Sequence, residues 1–227
     1  MPAEGTLGTI YTPLSPHTLS ITCLLDALHP RQTIFGGKIS TNLYEEASKN
    51  GLVLHDYLLR DDFALANAVP TAEGALQLAM EHLPITIHQS RILITGFGKV
   101  GQCTALRFLA LGAEVSVCAR SPGQLALAES LGCIPVPLST LDFMPGNWNL
   151  IINTVPSLIF TSERLKQFKT PVLMELASPP GGFDPAAVHN LGLKLISAPG
   201  LPGKVAPVTA ARIVQKTIYR MLEELDF

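Results

Sequence analysis

Six short apolar runs punctuate the chain from residue 92 onward, at 92–95, 114–118, 134–136, 150–152, 172–174 and 193–196. Runs this short, apolar at most positions of both parities and bounded by turn residues, predict strands buried on both faces of a parallel sheet. The run at 134–136 contains Pro135 and belongs at an edge or a strand end, where a missing N–H costs least. Helix-length segments separate the runs, and right-handed crossovers then cover both sheet faces. The first region is less regular. There, 33–35 and 52–54 read as short strands, and 42–49 as a helix stopped by Asn50 and Gly51. Leu19, Cys23, Leu24 and Leu28 suit the apolar face of a helix that His29-Pro30 ends. Ala72, Ala75, Leu76, Ala79, Met80 and Leu83 recur at three- and four-residue spacings, which predicts a linking helix over 70–83 with Pro70 in its first turn. A final stripe, Ala211, Val214, Ile218, Met221 and Leu222, predicts a helix over 207–224.

Chemistry enters directly after the run at 92–95. Gly96, Phe97, Gly98, Lys99, Val100 and Gly101 spell G-x-G-x-x-G between that strand and an apolar helical segment ending at Gly112. Strand, glycine turn and helix in this order form the phosphate-binding turn of a dinucleotide fold. Gly96 allows the tight turn, Gly98 lets backbone approach a pyrophosphate, and Gly101 lets the helix lie close to the strand. Free N–H groups and the positive dipole end at the helix start favour the anion. The fold class expected is therefore α/β: a Rossmann-like, doubly wound parallel sheet over 84–205, with a second, smaller N-terminal α/β domain over 1–69. The 70–83 helix links the two, and 206–227 returns as a helix to the domain junction.

The second strand selects the cofactor. An NAD site places a carboxylate at the end of that strand for the ribose 2′-hydroxyl. Here the strand ends Val117-Cys118-Ala119-Arg120-Ser121, and Glu114 lies at its opposite end. Arg120 supplies a planar cation and Ser121 a hydroxyl to a 2′-phosphate, so NADP is favoured, with NAD the alternative. Thr154, Val155 and Pro156, after the strand at 150–152, are expected beside the nicotinamide at the sheet's C-terminal edge.

Charge and composition mainly exclude. A formal net charge of −2 gives no electrostatic reason for a nucleic-acid or anionic-membrane partner. No apolar run is long enough for a membrane-spanning helix, and the first residues lack the basic start and apolar stretch of a secretory signal. Cys23, Cys103, Cys118 and Cys133 are widely spaced without C-x-x-C, which suits thiols in a reducing cytoplasm. The six histidines are scattered, so no zinc or other metal site is expected, and neither G-x-S-x-G nor a phosphate-loop lysine motif occurs.

Further blocks stand out: Asn-Ala-Val-Pro-Thr-Ala-Glu-Gly at 67–74, at the start of the predicted linking helix, and, at predicted strand ends, Asn-Thr-Val-Pro at 153–156, Leu-Ala-Ser-Pro-Pro-Gly-Gly at 176–182, and Ala-Pro-Gly-Leu-Pro-Gly-Lys-Val-Ala-Pro at 198–207. With the glycine turn, these resemble the family of dehydrogenase-like A-subunits of dipicolinate synthase, almost continuously from Arg60 to about Leu222. The resemblance implies oxidation of a dihydrodipicolinate-type intermediate to pyridine-2,6-dicarboxylate, in the cytoplasm of a sporulating mother cell. It also implies a small dicarboxylate substrate and an oligomeric assembly with a second, flavoprotein-like synthase subunit. Two departures stand out. The family's extra N-terminal strand and its Gly-Gly-Asp-Ala-Arg turn are not found before Arg60, which implies a shortened first domain. Pro180 stands where a basic residue is expected. Within the resembling motifs, Arg60 and Lys204 are the candidate partners of the two carboxylates, on opposite walls of an interdomain cleft. Glu73 is a candidate for orienting substrate or relaying a proton, with helix-start stabilisation as its other reading. Two other functions remain open: a non-catalytic nucleotide-binding or regulatory subunit, and a different NADP-dependent dehydrogenase of a small carboxylate.

Overall fold

A computed structural model describes the chain except for Met1, Pro2, Thr6, Leu7, Pro13, Leu14, Pro145, Thr170, Asp226 and Phe227. The fold comprises two compact units, one formed by Met1–Ala64 with Ala211–Phe227 and the other by Leu65–Ala210.

In the first unit, α1 (Ile21–Ala27), β1 (Thr33–Gly36), α2 (Thr41–Lys49) and β2 (Val53–Asp56) alternate, and β1 and β2 pair in parallel. Ser20 and Ser40 cap the two helices by accepting the Cys23 and Leu43 N–H groups. Gly51 takes φ +71° beyond the end of α2, where a side chain would be strained. The predicted face of the first helix is displaced. Ile21 and Leu25 are buried with Leu43, Ala47 and Leu52, whereas Cys23 is exposed. The Ser20 cap sets the helix start, and from there Ile21, Leu25 and Leu28 share a side by their four- and three-residue spacing. A second small core joins Tyr57 and Phe63 to Met221, with Val214 and Ile218 beside them; Ala211 of the predicted stripe is exposed.

The long helix α3 (Asp61–His82) differs most from expectation, since Pro70 lies in its interior and not in its first turn. Asp61 and Asp62 provide the acidic first turn nine residues earlier, so the helix is already established when the proline arrives. Proline removes the hydrogen bond to the Ala66 carbonyl, while the Thr71 hydroxyl donates to the Asn67 carbonyl at 2.7 Å just beyond it. The boundary between units therefore falls within α3, at Ala64/Leu65, and the other within the last helix, at Ala210/Ala211, not at 69, 83 and 205.

The second unit carries six parallel strands: β3 (Arg91–Thr95), β4 (Glu114–Ala119), β5 (Ile134–Pro137), β6 (Leu150–Asn153), β7 (Val172–Glu175) and β8 (Leu195–Ser197). Their order is β5-β4-β3-β6-β7-β8, the doubly wound arrangement, with proline-bearing β5 at an edge as its sequence requires. Strand alternation divides the core. Ile92, Ile94, Val115, Val117, Leu150, Ile152 and Met174 pack with Ala75 and Ala79 of α3, with Ala105 and Phe108 of α4 (Lys99–Ala110), and with Ala128 of α5 (Pro122–Ser130). Leu93, Ile151 and Leu173 face the other way, onto Trp148, Phe160, Phe168 and Phe183 and onto α7 (Pro185–Asn190). The crossover from β6 to β7 contains only a one-turn helix, α6 (Ser162–Leu165), so aromatic rings cover much of that face, with Phe160 and Phe183 stacked at 4.7 Å. Two helices close the chain, α8 (Leu201–Val205) and α9 (Pro207–Glu224). Among the described residues, no helix is long and apolar enough to cross a membrane.

Candidate dinucleotide site

Strands β3 and β6 are neighbours from which the chain winds outward in opposite directions, so a crevice opens beyond their C-terminal ends. The glycine turn lies there. Gly96 has φ +86°, and a side chain on it would reach 2.5 Å from Thr154 Oγ1 and 2.7 Å from Val155 Cγ2. A Cβ on Gly101 would strike the Gly96 carbonyl oxygen and lie 3.1 Å from its carbon, so this glycine sets how closely α4 meets β3. Gly98 is different. Its φ of −79° suits any residue, and a Cβ there would meet nothing within 4 Å. The protein's own packing leaves that space open, and a phosphate at this position would need it. Gly98 also caps α4 without a side-chain hydrogen bond, so the capping residue itself does not compete with an anion for the first-turn N–H groups. Lys99 and Val100 open that turn, and both are half-buried.

The Phe97 side chain belongs to the core. Only 1% of it is exposed, its ring belongs to the cluster beneath α4, and its carbonyl accepts the Gln102 side-chain amide at 2.9 Å. Only its backbone is left for a ligand.

On the β4 side, Arg120 and Ser121 are both exposed. Ser121 precedes α5 but makes no side-chain capping bond, and among the described residues Arg120 makes no hydrogen bond or ion pair. Glu114, at the other end of β4, pairs with Arg91 at 3.2 Å. No carboxylate of β4 therefore faces the ribose position.

On the β6 side, Thr154 donates its hydroxyl to the Thr95 carbonyl at 2.8 Å; Thr154 and Val155 are half-buried and Pro156 is exposed. Beneath them lies a polar row that the sequence reading did not single out. Thr95, Asn153 and Glu175 each end a strand and stand in register across β3, β6 and β7. Thr95 Oγ1 donates to Asn153 Oδ1 at 2.7 Å, and Asn153 Nδ2 donates to Glu175 Oε1 at 2.7 Å. The available signal was a polar residue terminating each of three otherwise apolar runs.

The three proposed substrate residues are placed as follows. Arg60 lies in the first unit with its guanidinium turned onto its own chain: Nε donates to Asp62 at 3.0 Å, Nη2 to Glu224 at 2.7 Å, and Nη1 also to Glu224. These bonds raise its pKa further and leave its fork engaged in fastening the α9 end to the α3 start, so a substrate-binding role is not supported. Glu73 is in mid-helix, not at a helix start, and faces Arg107 of α4 at 3.5 Å. Lys204 of α8 is exposed and, among the described residues, makes no hydrogen bond or ion pair. Two of the resembling blocks meet here: a Cβ on Gly74 of α3 would lie 3.2 Å from Leu201 and 3.1 Å from Val205, so this glycine seats α8 and with it Lys204. Among the described residues, no three His, Cys, Asp or Glu side chains are grouped to hold a metal.

No protein-family model matches the chain. A curated relative, the dipicolinate synthase A-subunit of Bacillus subtilis (strain 168), is 37% identical over 225 residues, covering 98% of this chain and 75% of the relative. The crystal structure of the dipicolinate synthase A-subunit from Bacillus halodurans superposes with a TM-score of 0.89 at 32% identity, covering 97% of this chain and 76% of that one. A transhydrogenase from Sinorhizobium meliloti shares the fold, with a TM-score of 0.77 at 16% identity over 91% of this chain and 71% of that one. The crevice at the β3/β6 switch point and identity sustained along nearly the whole chain lead to one assignment: the chain belongs to the dipicolinate synthase A-subunit family.

Proposed function

We propose that this dehydrogenase-like chain is the NADP-dependent oxidoreductase subunit of a dipicolinate synthase. In this reading it oxidises a dihydrodipicolinate-type ring to pyridine-2,6-dicarboxylate beside a second synthase subunit, in the cytoplasm of a sporulating cell. The carrying observation is the open space at Gly98 in front of a helix start with no side-chain cap, with Arg120 exposed and, among the described residues, unpaired at the end of the next strand. The N–H groups at the α4 start would hold the pyrophosphate, and Arg120 with Ser121 the 2′-phosphate. Thr154, Val155 and Pro156 would border the nicotinamide, which when bound accepts the hydride that ring aromatisation releases along with a proton. Lys204 would act as a point charge for one substrate carboxylate.

Calorimetry on the full chain tests the cofactor assignment. A charge-assisted hydrogen bond contributes on the order of 1.5–3 kcal/mol, so NADP(H) should bind at least about tenfold more tightly than NAD(H). Arg120→Ala should remove most of that preference without weakening NAD(H). Equal affinities for both cofactors in the unaltered protein would refute it.

A further inference from the structure

We infer that Glu175 is a positioning residue that holds the 176–182 loop as the wall of the nicotinamide half of the crevice; this rests on the dinucleotide reading above. Its carboxylate receives three N–H donors. Oε1 accepts Asn153 Nδ2 at 2.7 Å and the Ala177 N–H at 3.0 Å, while Oε2 accepts the Gly182 N–H at 2.6 Å. One side chain thus binds both ends of the loop that leaves its own strand. Asn153, wholly buried, carries the same constraint to the next loop: Oδ1 accepts the Val155 N–H at 3.2 Å and Nδ2 donates to the Val155 carbonyl at 2.8 Å.

The glycines of the loop report the same arrangement independently. Gly181 has φ +79°, and a Cβ there would come within 2.8 Å of Glu175 Oε2. A Cβ on Gly182 would collide with the Asn153 side-chain amide. The Gly-Gly pair is therefore shaped to the Asn153–Glu175 contact, and the loop crest, Ser178, Pro179 and Pro180, stays exposed. In a doubly wound sheet the half containing β3, β4 and β5 takes the adenosine side of a dinucleotide, so β6 and β7 flank the other side. Glu175 acts through the loops at 154–156 and 176–182, whose backbone it and Asn153 hold.

Glu175→Gln is the discriminating variant. Its size is unchanged, but one carboxylate oxygen becomes an NH2 that faces the N–H donors and cannot accept from them. The full chain is titrated calorimetrically with NADP(H) and with 2′-phosphoadenosine diphosphoribose, which lacks the nicotinamide. The variant should bind NADP(H) roughly tenfold more weakly, the loss expected for about one charge-assisted hydrogen bond, and the fragment within about twofold of the unaltered protein. The Gly182 amide should also exchange faster with solvent. Fragment binding shows that the β3–α4 half is folded, so equal weakening of both ligands would mean general structural damage and overturn the inference. Unchanged NADP(H) affinity would overturn it too. Failure of the unaltered chain to bind either ligand would instead sink the dinucleotide reading, and the inference with it.

Discussion

Gly98 and Gly101 belong to one motif, yet the structure separates what each contributes, and alanine at each position tests that separation. At Gly98 the backbone is already in a region open to alanine and the added methyl meets no protein atom. Alanine there restricts the unfolded chain, a gain of about 0.4–1 kcal/mol, but is a poorer N-cap than glycine by a similar amount. The net change in stability should stay within about 1 kcal/mol. At Gly101 the methyl would strike the Gly96 carbonyl, which is backbone and cannot swing aside, so α4 must shift from β3. Overpacking of this kind costs roughly 1–3 kcal/mol, which for a chain of this size lowers Tm by roughly 2–12 °C. Thermal unfolding without ligand, followed by calorimetry with NADP(H), reads both effects. Gly98→Ala should keep its Tm and lose at least about tenfold in affinity, because the methyl takes the space left for phosphate. A Gly98→Ala protein that binds NADP(H) normally, or that is destabilised as much as Gly101→Ala, would refute the reasoning.

Lys204→Ala should raise KM for the dicarboxylate at least about tenfold and leave NADP(H) affinity unchanged, as expected for loss of one charge-assisted contact; unchanged steady-state kinetics at subsaturating substrate would remove Lys204 from the site. Acid titration should show what Arg60 does. Hydrogen bonds from Arg60, and secondarily from Arg220, hold the Asp62 carboxyl down to about 2, and the Arg60 bond lowers Glu224 as well. Because these folded-state values are depressed, their stabilisation is complete above the ordinary carboxylate value near pH 4 and is lost as pH falls towards about 2. Urea unfolding midpoints should decline across that window, and Asp62→Asn should flatten the decline; an unchanged slope would show that the ion pairs contribute little.

Much of the second unit was legible because its signals are local. Apolar runs fix the strands, Pro135 marks an edge, and G-x-G-x-x-G between a strand and a helix identifies the turn whatever lies elsewhere in the chain. The same holds for Arg120 and Ser121, whose position at the end of β4 follows from counting along one strand. Helix starts were less secure: Pro70 looked like a first-turn residue because its neighbours do not reveal that Asp61 and Asp62 had already begun α3. Only the tertiary structure decided the partners of charged and polar side chains. Arg60 is directed to Glu224, distant in sequence, and Phe97 turns into the core. Thr95, Asn153 and Glu175 join into one row because strand register brings together three residues that each look like an ordinary strand end. Hydrogen bonds depend on distance and angle, which are set by pairing between segments far apart in the chain, whereas apolar periodicity is written into each segment alone.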